Sequence, residues 1–150
     1  MSATHRLERP VLAFTSGDPA GIGPETVLGA LRSGALVRFS RPLLIGENAV
    51  WRRAGWRLGL APLLDTGLGL PPPAYGRPSR ASGQASFAAV RLAARLAARR
   101  LVDGVVTAPI SKKAWGLAGV SFKDHTEFLR EETGRDAEMI LGVPARGIWC

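Results

Sequence analysis

The chain is poor in sulfur, histidine and lysine. Its 150 residues hold one cysteine, Cys150 at the last position, and two histidines, His5 and His125. A single cysteine forms no internal disulfide, which excludes a disulfide-stapled fold and sets the expectation of a cytoplasmic location. Two distant histidines and a terminal cysteine give no metal-ligand spacing, so no metal ligands are expected in this chain. Long apolar runs are lacking too, and nothing here is long enough to span a bilayer, so no membrane partner is expected. Residues 1–10 carry His5, Arg6, Glu8 and Arg9 without an apolar stretch. They read as a flexible N-terminus rather than a secretory signal.

What is present suits one ordinary domain over residues 11–150. The hydrophobic fraction is 46% and the mean hydropathy +0.07, in the range of a folded globular chain. The net charge is +8, and Lys112, Lys113 and Lys123 are the lysines among 20 basic residues, so the rest are arginine. Such a balance raises the possibility of a nucleic-acid partner. The arginines are scattered, however, with no dense block and little aromatic interleaving. Arg91, Arg95 and Arg99 make an i, i+4, i+8 row that a solvated helix face explains better, and no nucleic-acid partner is expected.

The most informative stretch is Thr15-Ser16-Gly17-Asp18-Pro19-Ala20-Gly21-Ile22-Gly23-Pro24-Glu25. It follows Val11–Phe14, which reads as a buried strand, and precedes Thr26–Leu31, which reads as a helix. Strand, glycine-rich loop and helix in that order place amides and a helix N-terminus at a strand's carboxyl end, a setting that suits an anion. Pro24 fits a first helical turn, and Glu25 puts a carboxylate where the dipole favours it. Gly17, Gly21 and Gly23 are candidates for a cofactor contact; a purely structural turn fits them equally well. The spacing matches neither the dinucleotide fingerprint nor the P-loop.

Further on, Pro42–Gly46 reads as a strand, Glu47–Leu58 as a helix, and Gly59–Arg80 as an irregular excursion with one short edge strand near Leu63. The tryptophans Trp51 and Trp56 read as packing residues. Ser82 opens the strongest helix, with Phe87, Val90, Ala94, Ala97 and Leu101 on its apolar stripe. Asp103–Pro109 reads as a buried strand, Ser111 as the N-cap of a short helix, and Val120–Phe122 as extended. His125–Thr133 reads as a helix ended by Gly134, and Glu138–Leu141 as a last strand. Strands alternating with helices predict an α/β fold with a largely parallel sheet, whose ligands sit beyond the strand carboxyl ends. Lys112, His125 and Thr126 fall near such an end. They offer a cation and two hydrogen-bond donors for a phosphate or carboxylate, although a lone histidine is more often structural.

The glycine loop, Val106-Thr107-Ala108-Pro109-Ile110-Ser111-Lys112 and His125-Thr126-Glu127-Phe128-Leu129, in this order, resemble the 4-hydroxythreonine-4-phosphate dehydrogenase family of vitamin B6 biosynthesis. Ser82-Gly83-Gln84-Ala85 and Met139-Ile140-Leu141 also fall in the family's order, so the resemblance runs from Val11 to about Leu141. It implies an isocitrate/isopropylmalate-dehydrogenase-like fold, a homodimer, and NAD with a divalent metal as cofactors. The implied reaction oxidises 4-phosphooxy-L-threonine and decarboxylates it to 3-amino-2-oxopropyl phosphate, in the biosynthesis of pyridoxal 5'-phosphate. His125 and Thr126 correspond to the family's substrate-binding pair, and Lys112 is a weaker substrate-binding candidate.

Two departures bear on this reading. The family carries glycine before the histidine, where this chain has Asp124; a carboxylate there is expected to weaken phosphate binding or to raise the histidine's pKa. The family is also longer, and its metal-binding histidines lie beyond the matched segment. The chain is therefore expected to be the N-terminal part of such an enzyme, truncated at its C-terminal end and inactive alone. The alternatives are a paralogue acting on a phosphorylated threonate or erythronate, and a non-catalytic basic binding module.

Overall fold

The computed structural model describes residues 9–138, 140, 142–143 and 148–149. Four strands form a wholly parallel sheet: β1 (Val11–Thr15), β2 (Arg41–Ile45), β3 (Leu63–Leu64) and β4 (Gly104–Val106), in the order β3-β2-β1-β4. The register pairs Val11 with Arg41 through Thr15 with Ile45, and Leu12 with Gly104 on the other side. The helices are α1 (Gly23–Arg32), α2 (Ala35–Phe39), α3 (Asn48–Arg53), α4 (Arg80–Ala98), α5 (Lys112–Leu117) and α6 (His125–Thr133). A separate antiparallel pair joins β5 (Gly142–Val143) to β6 (Ile148–Trp149). The α/β class with parallel pairing is as the sequence predicts.

Alternation along β1 and β2 splits the core between the two faces of the sheet, because successive side chains in a strand point to opposite sides. Leu12, Phe14 and Leu44 pack with Val27, Leu28 and Leu31 of α1 and with Trp51 and Trp56. Val11, Ala13, Leu43 and Ile45 pack instead with Ala89 and Ala93 of α4. Behind α4 a third cluster joins Val90 and Ala94 to Trp115 of α5 and Phe128 of α6. Trp51 and Trp56 are core residues, as expected, and the Trp56 indole N–H donates to the Ala61 carbonyl at 3.0 Å.

Several expectations change. The helix expected over Glu47–Leu58 is shorter because Gly55 takes φ +98° and turns the chain, leaving Leu58 93% exposed. Leu101 is off the apolar stripe: α4 ends at Ala98, Arg100 adopts φ 56°, and Leu101 faces solvent. β4 is an edge strand among the described residues, with Val106 exposed rather than buried. Glu138 and Ile140 form no strand; Met139 and Leu141 lie outside the described residues. Of residues 1–10, Arg9 and Pro10 are described and are tied down: Arg9 donates to the Val37 carbonyl and the Pro10 carbonyl accepts from Arg41.

The irregular excursion is held from within. Glu47, 3% exposed, accepts from the Thr66 hydroxyl and from the amides of Leu68 at 3.1 Å and Leu70 at 3.2 Å. A buried carboxylate needs such donors.

α4 starts with a capping box, Ser79 and Ser82 bonding each other's backbone amides. Its first turns carry small residues, and a Cβ on Gly83 would lie 2.0 Å from the Ala114 carbonyl oxygen. Gly83→Ala is expected to lower stability by about 1–3 kcal/mol in urea unfolding, because the backbone clash outweighs the gain in helix propensity. Gly116→Ala, where an added Cβ meets nothing within 4 Å, is expected to be neutral or to gain up to about 1 kcal/mol.

Candidate functional site: the first turn of α6

The carboxyl ends of β1 and β4 are locked together. Gly17, at φ +64°, lies so close to the next connection that a Cβ would sit 2.4 Å from the Pro109 carbonyl oxygen. Gly23 is closed in the same way by the Ser16 carbonyl at 2.4 Å. The Asp18 amide donates to Pro109 at 2.8 Å, those of Gly21 and Ala20 to the Asp18 backbone and side chain at 2.9 Å each, and that of Ala108 to the Thr15 hydroxyl at 3.2 Å. The glycines thus admit backbone, and the amides of Asp18, Ala20 and Gly21 are satisfied inside the chain.

From Pro109 the chain runs to Ser111, whose hydroxyl accepts from the Ala114 amide at 3.2 Å and caps α5. Lys112 opens α5, exposed and near enough to Asp124 to favour that residue's charge. Asp124 is the N-cap of α6 and accepts from the Glu127 amide at 3.0 Å, while Glu127 reaches back to the Lys123 amide at 2.6 Å. His125 and Thr126 follow as the first helical residues, both half-buried. The structure therefore gathers Lys112, Asp124, His125 and Thr126 around one helix N-terminus, where amides and dipole favour negative charge.

The electrostatics correct one expectation. His125 is held below its ordinary pKa of 6.5 because burial outweighs the opposing pull of Asp124, so its pKa is not raised. Its Nε2 is buried without a partner, and its ring meets Trp115 edge to face at 5.6 Å. Asp124 lies below its ordinary 3.8, chiefly through the Glu127 amide, with Lys112 and His125 adding to the effect. The cap carboxylate occupies the position a bound anion would take.

A second polar group escaped sequence reasoning. Arg53 donates to the carbonyls of Pro19 and Pro73 and lies 4.1 Å from the Tyr75 ring centroid, while the Tyr75 hydroxyl donates to Glu25 at 2.5 Å. That hydrogen bond to Glu25 raises the Tyr75 pKa. The clasp ties residues 73–76 over the glycine loop, and the Gly76 amide donates a hydrogen bond to the Ala20 carbonyl at 2.8 Å. Residues so far apart in sequence carry no shared local signal. Among the described residues no three His, Cys, Asp or Glu side chains converge on a possible metal position, and no helix is long and apolar enough to cross a membrane.

A parallel sheet with helices on both faces and polar groups beyond its carboxyl ends defines an α/β protein of the class whose ligands bind at those ends. Residues 41–148 match the family model described as pyridoxal phosphate biosynthetic protein PdxA, and the chain belongs to that family. The 4-hydroxythreonine-4-phosphate dehydrogenase of Desulfosudis oleivorans is 35% identical, aligned over 89% of this chain and 46% of its own length. A putative D-threonate 4-phosphate dehydrogenase of Oceanobacillus iheyensis is 32% identical over 91% of this chain and 48% of its own. The crystal structure of a 4-hydroxythreonine-4-phosphate dehydrogenase from Burkholderia phymatum superposes with a TM-score of 0.78 at 30% identity, covering 90% of this chain and 47% of that one. The chain spans about half the length of the curated relatives it matches. The match reaches residue 148, beyond the Leu141 at which the motifs give out.

The depressed His125 pKa has a definite pH signature. The unfolded chain binds a proton at His125 more readily than the folded one, so this contribution is complete above the ordinary pKa of 6.5 and is lost as pH falls toward the folded value. Urea unfolding of the wild type is expected to weaken over that window, and His125→Gln is expected to flatten this part of the profile. Asp124→Gly is expected to cost only a few tenths of a kcal/mol, as glycine is a tolerable N-cap, while strengthening inorganic phosphate binding in a titration.

Proposed function

We propose that the chain forms the substrate-phosphate end of a dehydrogenase acting on a phosphorylated four-carbon hydroxy acid, with 4-phosphooxy-L-threonine as the preferred substrate. The observation that carries this reading is the assembly of Lys112, His125 and Thr126 at the N-terminus of α6. A phosphate offers only acceptors in a compact dianion, and this turn offers a mobile ammonium, an imidazole and a hydroxyl beside helix amides. The name of the Oceanobacillus relative favours D-threonate 4-phosphate as a second substrate. Both molecules present the same phosphate, so one site serves either.

The remaining machinery belongs, in this reading, to sequence beyond the 150 residues. There NAD would supply the hydride acceptor and a divalent metal a Lewis acid for the alcohol oxygen. The donor set of the described residues does not fit a metal centre, and the inward-bonded amides of the glycine loop do not fit a dinucleotide pyrophosphate. Gly17, Gly21 and Gly23 are accordingly assigned a shaping role. The working enzyme is a homodimer in the cytoplasm. Two members of the arginine row have partners on the helix surface, Arg95 with Glu132 at 2.7 Å and Arg91 over Phe87, which supports a solvated face over a nucleic-acid site.

The test is a titration of the purified chain with inorganic phosphate and with each phosphorylated substrate, alongside an assay for NAD reduction. Saturable binding without turnover is expected, and Thr126→Val is expected to weaken binding about tenfold or more, since a hydrogen bond to a charged group contributes about 1.5–3 kcal/mol. Clear turnover by the 150 residues, or binding indifferent to Thr126 and His125, would sink the reading.

A further inference from the structure

Behind His125 lies a buried polar contact that no phosphate could reach. Trp115 is fully buried on α5, and its indole N–H donates at 3.1 Å to the hydroxyl of Ser86, itself fully buried on α4. Phe87 packs edge to face against the same indole at 5.4 Å. Gly83 brings α5 close enough for that hydrogen bond to form. The indole is therefore fixed in position and rotation by a hydrogen bond, an aromatic neighbour and a helix contact at backbone distance.

His125 rests on this fixed surface. The rings meet at 5.6 Å and 77°, and of the two imidazole nitrogens it is Nε2 that is shut in without a partner. Shutting a polar atom away is unfavourable unless the surroundings over-determine it. Asp124, the cap of α6, is the charged group that acts on the ring, Lys112 of α5 acts on Asp124, and Glu127 is engaged with the Lys123 amide. The α4 side chains in this packing, Ser86 and Phe87, are neutral.

We propose that Trp115, pinned by Ser86, is the positioning residue for His125: it keeps the Nε2 edge inside and leaves Nδ1 as the nitrogen that meets a ligand. Built on the phosphate reading of the α6 turn, this fixes the proton as well. Phosphate oxygens accept, so the contacting nitrogen must carry hydrogen. Burial disfavours the doubly protonated ring, and His125 then works as a neutral donor protonated at Nδ1 alone.

The experiment is nitrogen-resolved NMR of the imidazole in the 150-residue chain carrying His5→Gln, so that His125 gives the sole histidine signal. The expected spectrum near neutral pH is that of the Nδ1-protonated neutral ring. Ser86→Ala and Trp115→Phe are each expected to shift the His125 titration upward and to mix the tautomers. A purely structural role would lower unfolding stability and leave both readouts where they were, and that result, or an Nε2-protonated ring in the wild type, overturns the proposal. Ser86→Ala removes a single oxygen and carries the test if Trp115→Phe fails to fold. Adding inorganic phosphate separates the two ideas: a His125 spectrum that ignores phosphate but responds to Ser86→Ala ends the phosphate reading and leaves the positioning role standing.

Discussion

The distance between α4 and α5 is the constraint on which the site depends. At Gly83 the helices meet so closely that no side chain fits between them. That closeness lets Ser86 reach Trp115, and Trp115 in turn forms the wall behind His125. Close helix packing of this sort transmits position faithfully, since a packed interior deforms little. The placing of His125 at the first turn of α6 thus rests on a glycine that does not touch it.

The α6 turn also holds two opposed demands. A helix N-terminus gains from a side-chain acceptor, and Asp124 supplies one; an incoming phosphate would ask for the same amides. Lys112 lies close enough to favour the charge on Asp124. A chain with glycine at the cap position would leave those amides to the ligand. On the phosphate reading, Asp124 trades ligand affinity for a better-satisfied helix start, a local compromise whose terms are set by charge rather than by packing.

Much of this architecture was legible from local pattern. The apolar runs at Val11–Phe14 and Pro42–Ile45, the Ser111 cap and the Gly134 stop each follow from chemistry within a few residues, and so does the short edge strand at Leu63. What local pattern missed depends on distant partners. Leu101 falls on the heptad-like stripe, but the helix has already ended when the chain reaches it. Val106 has the composition of a central strand yet stands at an edge, since a strand's neighbours are set by topology. His125 and Thr126 were singled out through motif order, and they open α6. The buried Nε2 and the wall formed by Trp115 were not, because nothing in the spacing of Ser86, Trp115 and His125 marks them as neighbours.

In an open parallel sheet, ligands gather in the crevice beyond the strand carboxyl ends. At β2 and β3 the donors that line this end are already engaged by the chain itself. The Glu47 carboxylate sits in a ring of donors from Thr66, Leu68 and Leu70, as an anion would sit in a nest of amides. The protein carries a tethered, permanently bound occupant at this end of the sheet. On the phosphate reading, an anion arriving from solvent meets donors here that a carboxylate already holds, and the first turn of α6 is left to it.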